Sequence, residues 1–420
     1  MAVPQVTYDD VVAARAMLSE VAALTPVLHS RVLSETVGGP VHLKCENLQR
    51  AGSFKIRGAY VRIARLTAEE RARGVVAASA GNHAQGVALG SSLLGAKATV
   101  YMPEGAPLPK VEATRAYGAD VVFAGHTVDE ALRAAREHAE RTGAVFIHPF
   151  DHPDVVAGQG TVGLEILEQL PGTATIVLPI GGGGLAAGVA LAVKSQRPGI
   201  KVVGVQAERA AAYPDSLAAG HPVMVVPTST MADGIAVGQP GDLPFELIHY
   251  LVDSVVTVSE ESLSRALLLC LERSKLLVEP GGVAGVAALL DHPEAFEPPV
   301  VAVLSGGNID PLLLARVLRH GLAAAGRYLA FRIRLTDRPG ALAVLLARLA
   351  DLGVNVLDVV HERFGSRLHL DEAEVLLQLE TRGPAHGDEV LGALRRHGYR
   401  IDAEYGLQVG GEGVVAALRP

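Results

Sequence analysis

Short apolar runs separated by helix-forming stretches recur along the first three quarters of the chain. No other feature limits the fold as much. "GVVAAS" (74–79), "KATVYMP" (97–103), "ADVVFAG" (119–125), "TIVLPI" (175–180), "KVVGVQAE" (201–208) and "VVAVLSGG" (300–307) are rich in β-branched residues, and each runs into a turn. Between them lie segments of helical composition such as "TVDEALRAAREHAERTG" and "GLAAGVALAVKSQ". Most of the runs lack polar alternation, as strands do when helices cover both faces of a sheet. The pattern predicts an α/β fold with mostly parallel, doubly wound sheets over residues 1–325. After "LARVLRHGLAAAGRY" it changes: "LAFRIRLT" (329–336) alternates apolar and polar, as a half-exposed antiparallel strand does. A helix, two strands, a helix and a last strand ("YRIDAEY") follow, which predicts a ferredoxin-like βαββαβ domain over 328–405. The boundary is expected near 322–328 and a loosely held tail over 406–420.

With 49% hydrophobic and 20% charged residues among 420, a packed core is affordable. A net charge of −8 argues against nucleic-acid binding through general electrostatics. Cys45 and Cys270 are the only cysteines and form no CxxC or CxxH spacing, so neither a disulfide framework nor a zinc site is expected. The start "MAVPQVTYDDVVAARAML" lacks a basic segment followed by an apolar core, and no apolar run is long enough to span a bilayer. A cytoplasmic protein with no nucleic-acid or membrane partner is the expectation.

Four stretches carry chemistry. In "TIVLPIGGGGLAAG" a strand runs through Gly181, Gly182, Gly183 and Gly184 into a helix beginning near Leu185. Such a loop lets backbone N–H groups close on a phosphate at the positive end of a helix; the alternative is a tight turn. It is neither a Walker loop nor the GxGxxG of a dinucleotide site. "SAGNHAQGVA" places Ser79, Ala80, Gly81, Asn82 and His83 at another strand-to-helix turn, rich in donors and suited to a carboxylate, although simple capping by Ser79 or Asn82 explains it equally. Ser305 of "VLSGGNID" stands at the carboxyl end of a strand, where such sheets bind ligands, or else caps a helix. In "AGSFKIRGAY", Lys55 is framed by Phe54, Ile56 and small residues. A solvated lysine needs no such frame, whereas a nucleophilic one does. A phosphate cradle, a carboxylate loop, a strand-end serine and a framed lysine together point to pyridoxal phosphate and an amino-acid substrate, with Phe54 placed to pack on the ring.

"SFKIRGA", "SAGNHAQG", "GQGTVGLEI", "PIGGGGLAAG" and "LSGGNID" resemble, in order, the motifs of the threonine ammonia-lyase (threonine dehydratase) and serine racemase family of fold type II pyridoxal-phosphate enzymes, over about residues 20–315. "DRPGALAVLLARLADLGVNV" resembles an ACT domain, a module that commonly binds amino acids. The resemblance implies a catalytic domain of two subdomains, the smaller covering roughly 50–145. Lys55 then matches the Schiff-base lysine, Gly181–Gly184 and Leu185 the phosphate loop, Asn82 the partner of the cofactor's ring hydroxyl, and Ser305 that of the pyridine nitrogen. Ser79, Ala80, Gly81, Asn82 and His83 match the holders of the substrate carboxylate.

Two departures matter. Where racemases carry a serine that reprotonates Cα, this chain has Ala80, so elimination is expected over racemisation. Where racemase-like members bind a divalent ion through a Glu and an Asp, Glu208 is kept but Pro214 aligns with the Asp, so no divalent metal site is expected, while Glu208 and backbone carbonyls leave a monovalent cation open. The implied activity is deamination of L-threonine to 2-oxobutanoate and ammonia, with L-serine as a second substrate. An amino-acid effector such as isoleucine or valine is implied at "TDRPG", and a homodimer or homotetramer as the assembly. The rival readings are an L-serine dehydratase, a serine racemase, a β-replacement enzyme such as cysteine synthase, and a non-catalytic amino-acid sensor.

Overall fold

The computed structural model describes residues 5–363 and 368–405, so the tail expected at 406–420 lies outside the described residues. The chain divides into two compact units, Met1–Leu313 and Leu314–Pro420. The division falls within the helix Pro311–Ala324.

The first unit holds the strands β1 (Val27–His29), β2 (Val41–Lys44), β3 (Val75–Ala78), β4 (Ala98–Met102), β5 (Asp120–Phe123), β6 (Val145–Phe146), β7 (Thr175–Pro179), β8 (Lys201–Ala207), β9 (Ser254–Val258) and β10 (Val300–Val303). They form two sheets. The larger has the order β1-β2-β10-β7-β8-β9 and the smaller β5-β4-β3-β6. All pairings are parallel except β1 on β2. The central strands β3, β7 and β10 are buried throughout, which explains their unbroken apolar sequences. The edge strand β5 is not covered on both faces, and Val122 and Phe123 are exposed there.

Local signals set the helix ends. The helix Val128–Thr142 starts with a capping box between Thr127 and Glu130 and stops at Gly143 in the left-handed conformation (φ 72°). The helix Lys55–Ala64 crosses the helix Pro153–Gln169 at Gly58 and Gly158, so closely that a Cβ on Gly158 would lie 2.6 Å from the Gly58 Cα. Beneath that crossing a closed set of charges is buried. Arg57 pairs with Glu46 and Glu165, and Lys44 with Glu165; Lys44 and Glu46 are 0% exposed. Two cations face two anions, and Thr25, Thr161 and Gln169 supply further hydrogen bonds, so each of these four charges is paired.

The second unit has the strands β11 (Tyr328–Thr336), β12 (Asn355–Glu362), β13 (Glu372–Glu380) and β14 (Arg400–Tyr405), with helices Ala341–Asp351 and Pro384–Arg396. The element order is βαββαβ. The sheet order is β12-β13-β11-β14 and every pairing is antiparallel. Phe331, Ile333 and Leu335 turn inward from β11 against Leu345, Leu349, Val390 and Leu394 of the helices, as their alternation predicts. Among the described residues no helix is long and apolar enough to cross a membrane.

Candidate active site

Four strand ends converge in the first unit. The chain leaving β2 turns through two short 3-10 segments and enters the helix Lys55–Ala64, whose first residue is Lys55. The Phe54 N–H donates to the Ser305 carbonyl (3.2 Å), just beyond β10, and Ser53 bridges Gly306. Lysine loop and serine loop are therefore stitched together. The Lys55 Nζ donates to the Pro149 carbonyl (2.9 Å) and lies 5.2 Å from the centre of the Phe54 ring. Burial pushes the Lys55 amine down to about 8, against the pull of the Glu279 carboxylate. An amine of that kind is partly neutral near neutral pH, as a nucleophile or base must be.

Beyond β7 the glycine loop packs against Phe150. A Cβ on Gly182 would lie 2.3 Å from the Phe150 ring, and one on Gly184 3.0 Å from the Phe150 Cβ. Gly183 has φ 102° and caps the helix Gly184–Gln196. No side chain fits at Gly182 or Gly183 without displacing a neighbour, Gly184 is tight, and the amides that open the helix face no helical acceptor and are available to a ligand. Leu185 sits in the core at 4% exposure, so it offers the site only its backbone. Gly181 opens the loop beside Ile235.

Beyond β3, Ser79 accepts from the Gly81 N–H (3.1 Å), and Gly81 precedes the helix Asn82–Leu93. Asn82 Nδ2 donates to Glu279 Oε1 (2.6 Å). His83 does not face the cleft: its ring is buried, with Nε2 donating to the Ile147 carbonyl (2.8 Å). Burial, with Lys55 adding to it, pushes His83 down to about 3, so the ring is neutral. Of the residues expected to hold a carboxylate, His83 can contribute only its N–H at the first turn of the helix.

Residues 18–306 match the family described as pyridoxal-phosphate dependent enzyme. The chain belongs to the pyridoxal-phosphate dependent enzymes. The L-threonine ammonia-lyase of Thermotoga maritima is 48% identical over 396 residues, 94% of this chain and 99% of that one. Among solved structures, the processed form of threonine deaminase isoform 2 from Solanum lycopersicum is 38% identical, with a TM-score of 0.72 over 75% of this chain and 95% of that one. Maize serine racemase is 37% identical, with a TM-score of 0.71 over 74% of this chain and 96% of that one.

The protein is thus an enzyme, and pyridoxal phosphate is its cofactor. The site suits that group on its own geometry. The glycine loop is packed too tightly against Phe150 and Tyr213 for a Cβ at 182 or 183, which leaves bare backbone for a phosphate to approach; Asn82 offers an amide, and Ser305 lies two residues beyond a buried strand. Ser53, two residues before Lys55, keeps a buried hydroxyl with no hydrogen-bond partner among the described residues.

Glu279, Asn308 and the Lys110–Asp233 pair complete the pyridoxal-phosphate enzyme's cleft, and none of them was singled out from sequence. Glu279 stands against Gly306, where a Cβ would lie 2.4 Å from its Oε1. Burial and the nearby Asp233 push its carboxyl up to about 7, while Lys110, Asn82 and Lys55 hold it back. Lys110 Nζ reaches Asp233 Oδ2 at 2.6 Å, joining the smaller-sheet side of the cleft to the larger. The sequence signal was a lone acid in the apolar run "LLVEPGGVAG", since a charge placed there needs partners when buried.

Proposed function

We propose that the chain deaminates L-threonine to 2-oxobutanoate and ammonia by α,β-elimination, with L-serine giving pyruvate more weakly. The observation that carries this reading is the Lys55 amine, drawn toward neutrality and set among the glycine cradle, the Asn82 loop and Ser305. The cofactor supplies a sink for the charge left when a proton departs from the carbon bearing the substrate amine. The protein residues do the rest. The glycine-loop amides and the start of the helix Gly184–Gln196 hold the phosphate. The turn Ser79–Asn82, with the His83 N–H behind it, presents donors to the substrate carboxylate at a second helix start. Lys55 takes the Cα proton. On that loop Ala80 has no proton to give, so the position that holds the reprotonating serine in racemases is silent here and loss of the β-hydroxyl is favoured over racemisation. Ser305 brings a hydroxyl, not a carboxylate, to the end of β10. Threonine and serine differ by one methyl, worth about 1–3 kcal/mol in an apolar pocket, so both are turned over. Assaying keto-acid release from the two amino acids in parallel, with products identified, tests the reading. 2-Oxobutanoate in excess supports it, whereas D-serine formation or no keto acid rejects it.

The second unit is read as an ACT domain that senses an amino acid. Its support is a hollow of about 170 Å³ lined by Thr336, Asp337, Arg338, Gly340, Ala341 and His361, at the turn entering the helix Ala341–Asp351. Gly340 (φ 88°) caps that helix, so its first amides can meet a carboxylate. Ala341→Phe fills the hollow. It is expected to remove any response of the rate to isoleucine or valine while leaving the basal rate in place; a response that survives puts the effector elsewhere.

A further inference from the structure

We infer that Asn308 fixes which end of the Asn82 amide faces the cofactor, and is therefore a positioning residue of the site. The inference rests on the proposed function and on the role that the sequence resemblance gives Asn82, partner of the cofactor's ring hydroxyl. The argument starts from an atom that has no choice. The Ala51 carbonyl can only accept, and Asn308 Nδ2 lies 2.7 Å from it, so the nitrogen end of the Asn308 amide points there. Its remaining hydrogen meets Asn82 Oδ1 at 2.8 Å, with Gln85 Oε1 at 3.2 Å beside it. With Oδ1 engaged, the Asn82 Nδ2 must point the other way, where Glu279 Oε1 accepts at 2.6 Å. One amide hydrogen then remains for an oxygen of the cofactor ring. A backbone carbonyl thus sets the polarity of two amides in series, and reversing either one would set acceptor against acceptor.

Asn308 also braces the turn before Lys55. Ala51 has φ 59°, a left-handed conformation rare for a residue with a side chain, and Gly52 has φ 69°. An atom at the Cβ position of Gly52 would lie 2.2 Å from Asn308 Oδ1, so the asparagine lies directly against this turn. One residue of the serine loop therefore touches both the lysine turn and the asparagine helix.

The test compares Asn308→Asp with Asn308→Ala, each alone and in an Asn82→Ala background. In all of them one follows the visible absorbance of the lysine-bound cofactor and its pH titration, the cofactor dissociation constant, and the urea midpoint. The aspartate replaces the donor by an acceptor, so it should turn the Asn82 amide round. Alanine only removes the tie. We expect Asn308→Asp to shift the absorbance titration and weaken cofactor binding at least about tenfold beyond Asn308→Ala, with the difference vanishing once Asn82 is alanine. If both variants lower only the urea midpoint and leave spectrum and titration alone, Asn308 is a structural brace and the inference fails. It fails too if the aspartate effect persists without Asn82, since the turn at Ala51 would then transmit it. A wild-type protein with no visible band from a Lys55-bound cofactor would reject the functional reading itself, whatever the variants do.

Discussion

Arg57 grips Glu46 with two parallel hydrogen bonds inside the core, Nε to Oε2 at 2.8 Å and Nη2 to Oε1 at 2.9 Å. The opposite edge of the same guanidinium holds Glu165 at 2.6 Å. Arg57 lies two residues after Lys55 on the same helix, so the fork anchors the element that presents the amine. Replacing Arg57 by leucine leaves two carboxylates against Lys44 alone and should cost about 3–5 kcal/mol. Arg57→Lys keeps the charge but loses the fork, and should fall between leucine and wild type in urea midpoint. Equal midpoints for lysine and arginine would show that charge alone matters there.

Gly183 should tolerate no side chain. Its φ of 102° strains any L residue, and a Cβ would meet the Tyr213 hydroxyl at 2.0 Å. Gly183→Ala should cost about 1–3 kcal/mol and weaken cofactor binding sharply. Adding Tyr213→Phe should recover part of the stability, leaving the backbone cost. Full cofactor affinity in the single variant would remove the glycine loop from the phosphate site.

Cofactor capture by the apoprotein should depend on pH through Lys55. Its amine, lowered to about 8, is charged below that value and neutral above it, so covalent capture accelerates as pH rises through about 8. The Glu279 carboxylate raises the Lys55 value. Glu279→Gln should therefore move the profile to lower pH. A profile that moves to higher pH, or stays put, would mean Glu279 does not act on the amine.

A buried histidine, His83, and a half-buried one, His148, should make the apoprotein sensitive to acid. Burial lowers His83 to about 3 and His148 to about 4. An unfolded histidine takes up its proton near 6.5, so between about 6.5 and 4 the unfolded chain binds more protons than the folded one. Stability should fall as pH drops through that window, with no contribution from these groups above about 7. His83→Gln should flatten the slope by up to about 1.4 kcal/mol per pH unit, measured as urea midpoints across the series. An unchanged slope would mean the ring takes its proton in the folded state.

The runs 175–180 and 300–307 were readable because each leads out of a strand buried on both faces, and burial writes itself as uninterrupted apolar sequence. β1 and β6 were not, being three and two residues long. β2 was hidden for another reason: "VHLK" ends in a lysine that looks exposed, and its burial depends on Glu165 and Gln169, far along the chain, together with the Thr25 carbonyl. The site followed the same rule. Local loop chemistry pointed to Lys55 and Gly181–Gly184. His83 was expected among the carboxylate holders, but its ring turns inward to a carbonyl that local sequence does not reveal. Asn308 sat inside a motif already noticed, yet its work depends on Ala51 and Asn82, each more than two hundred positions away.

The strand order of the larger sheet has a consequence for synthesis. β10 lies between β2 and β7 and pairs in parallel with both, yet it is the last strand of that sheet to be made. Until residue 303 has left the ribosome, β2 and β7 each present a bare edge, and the sheet exists as two halves with a gap one strand wide. The turn carrying Lys55 cannot close on Ser305 before that gap is filled. The nascent chain therefore completes its catalytic centre in one late step, and it is most open to wrong partners just before that step.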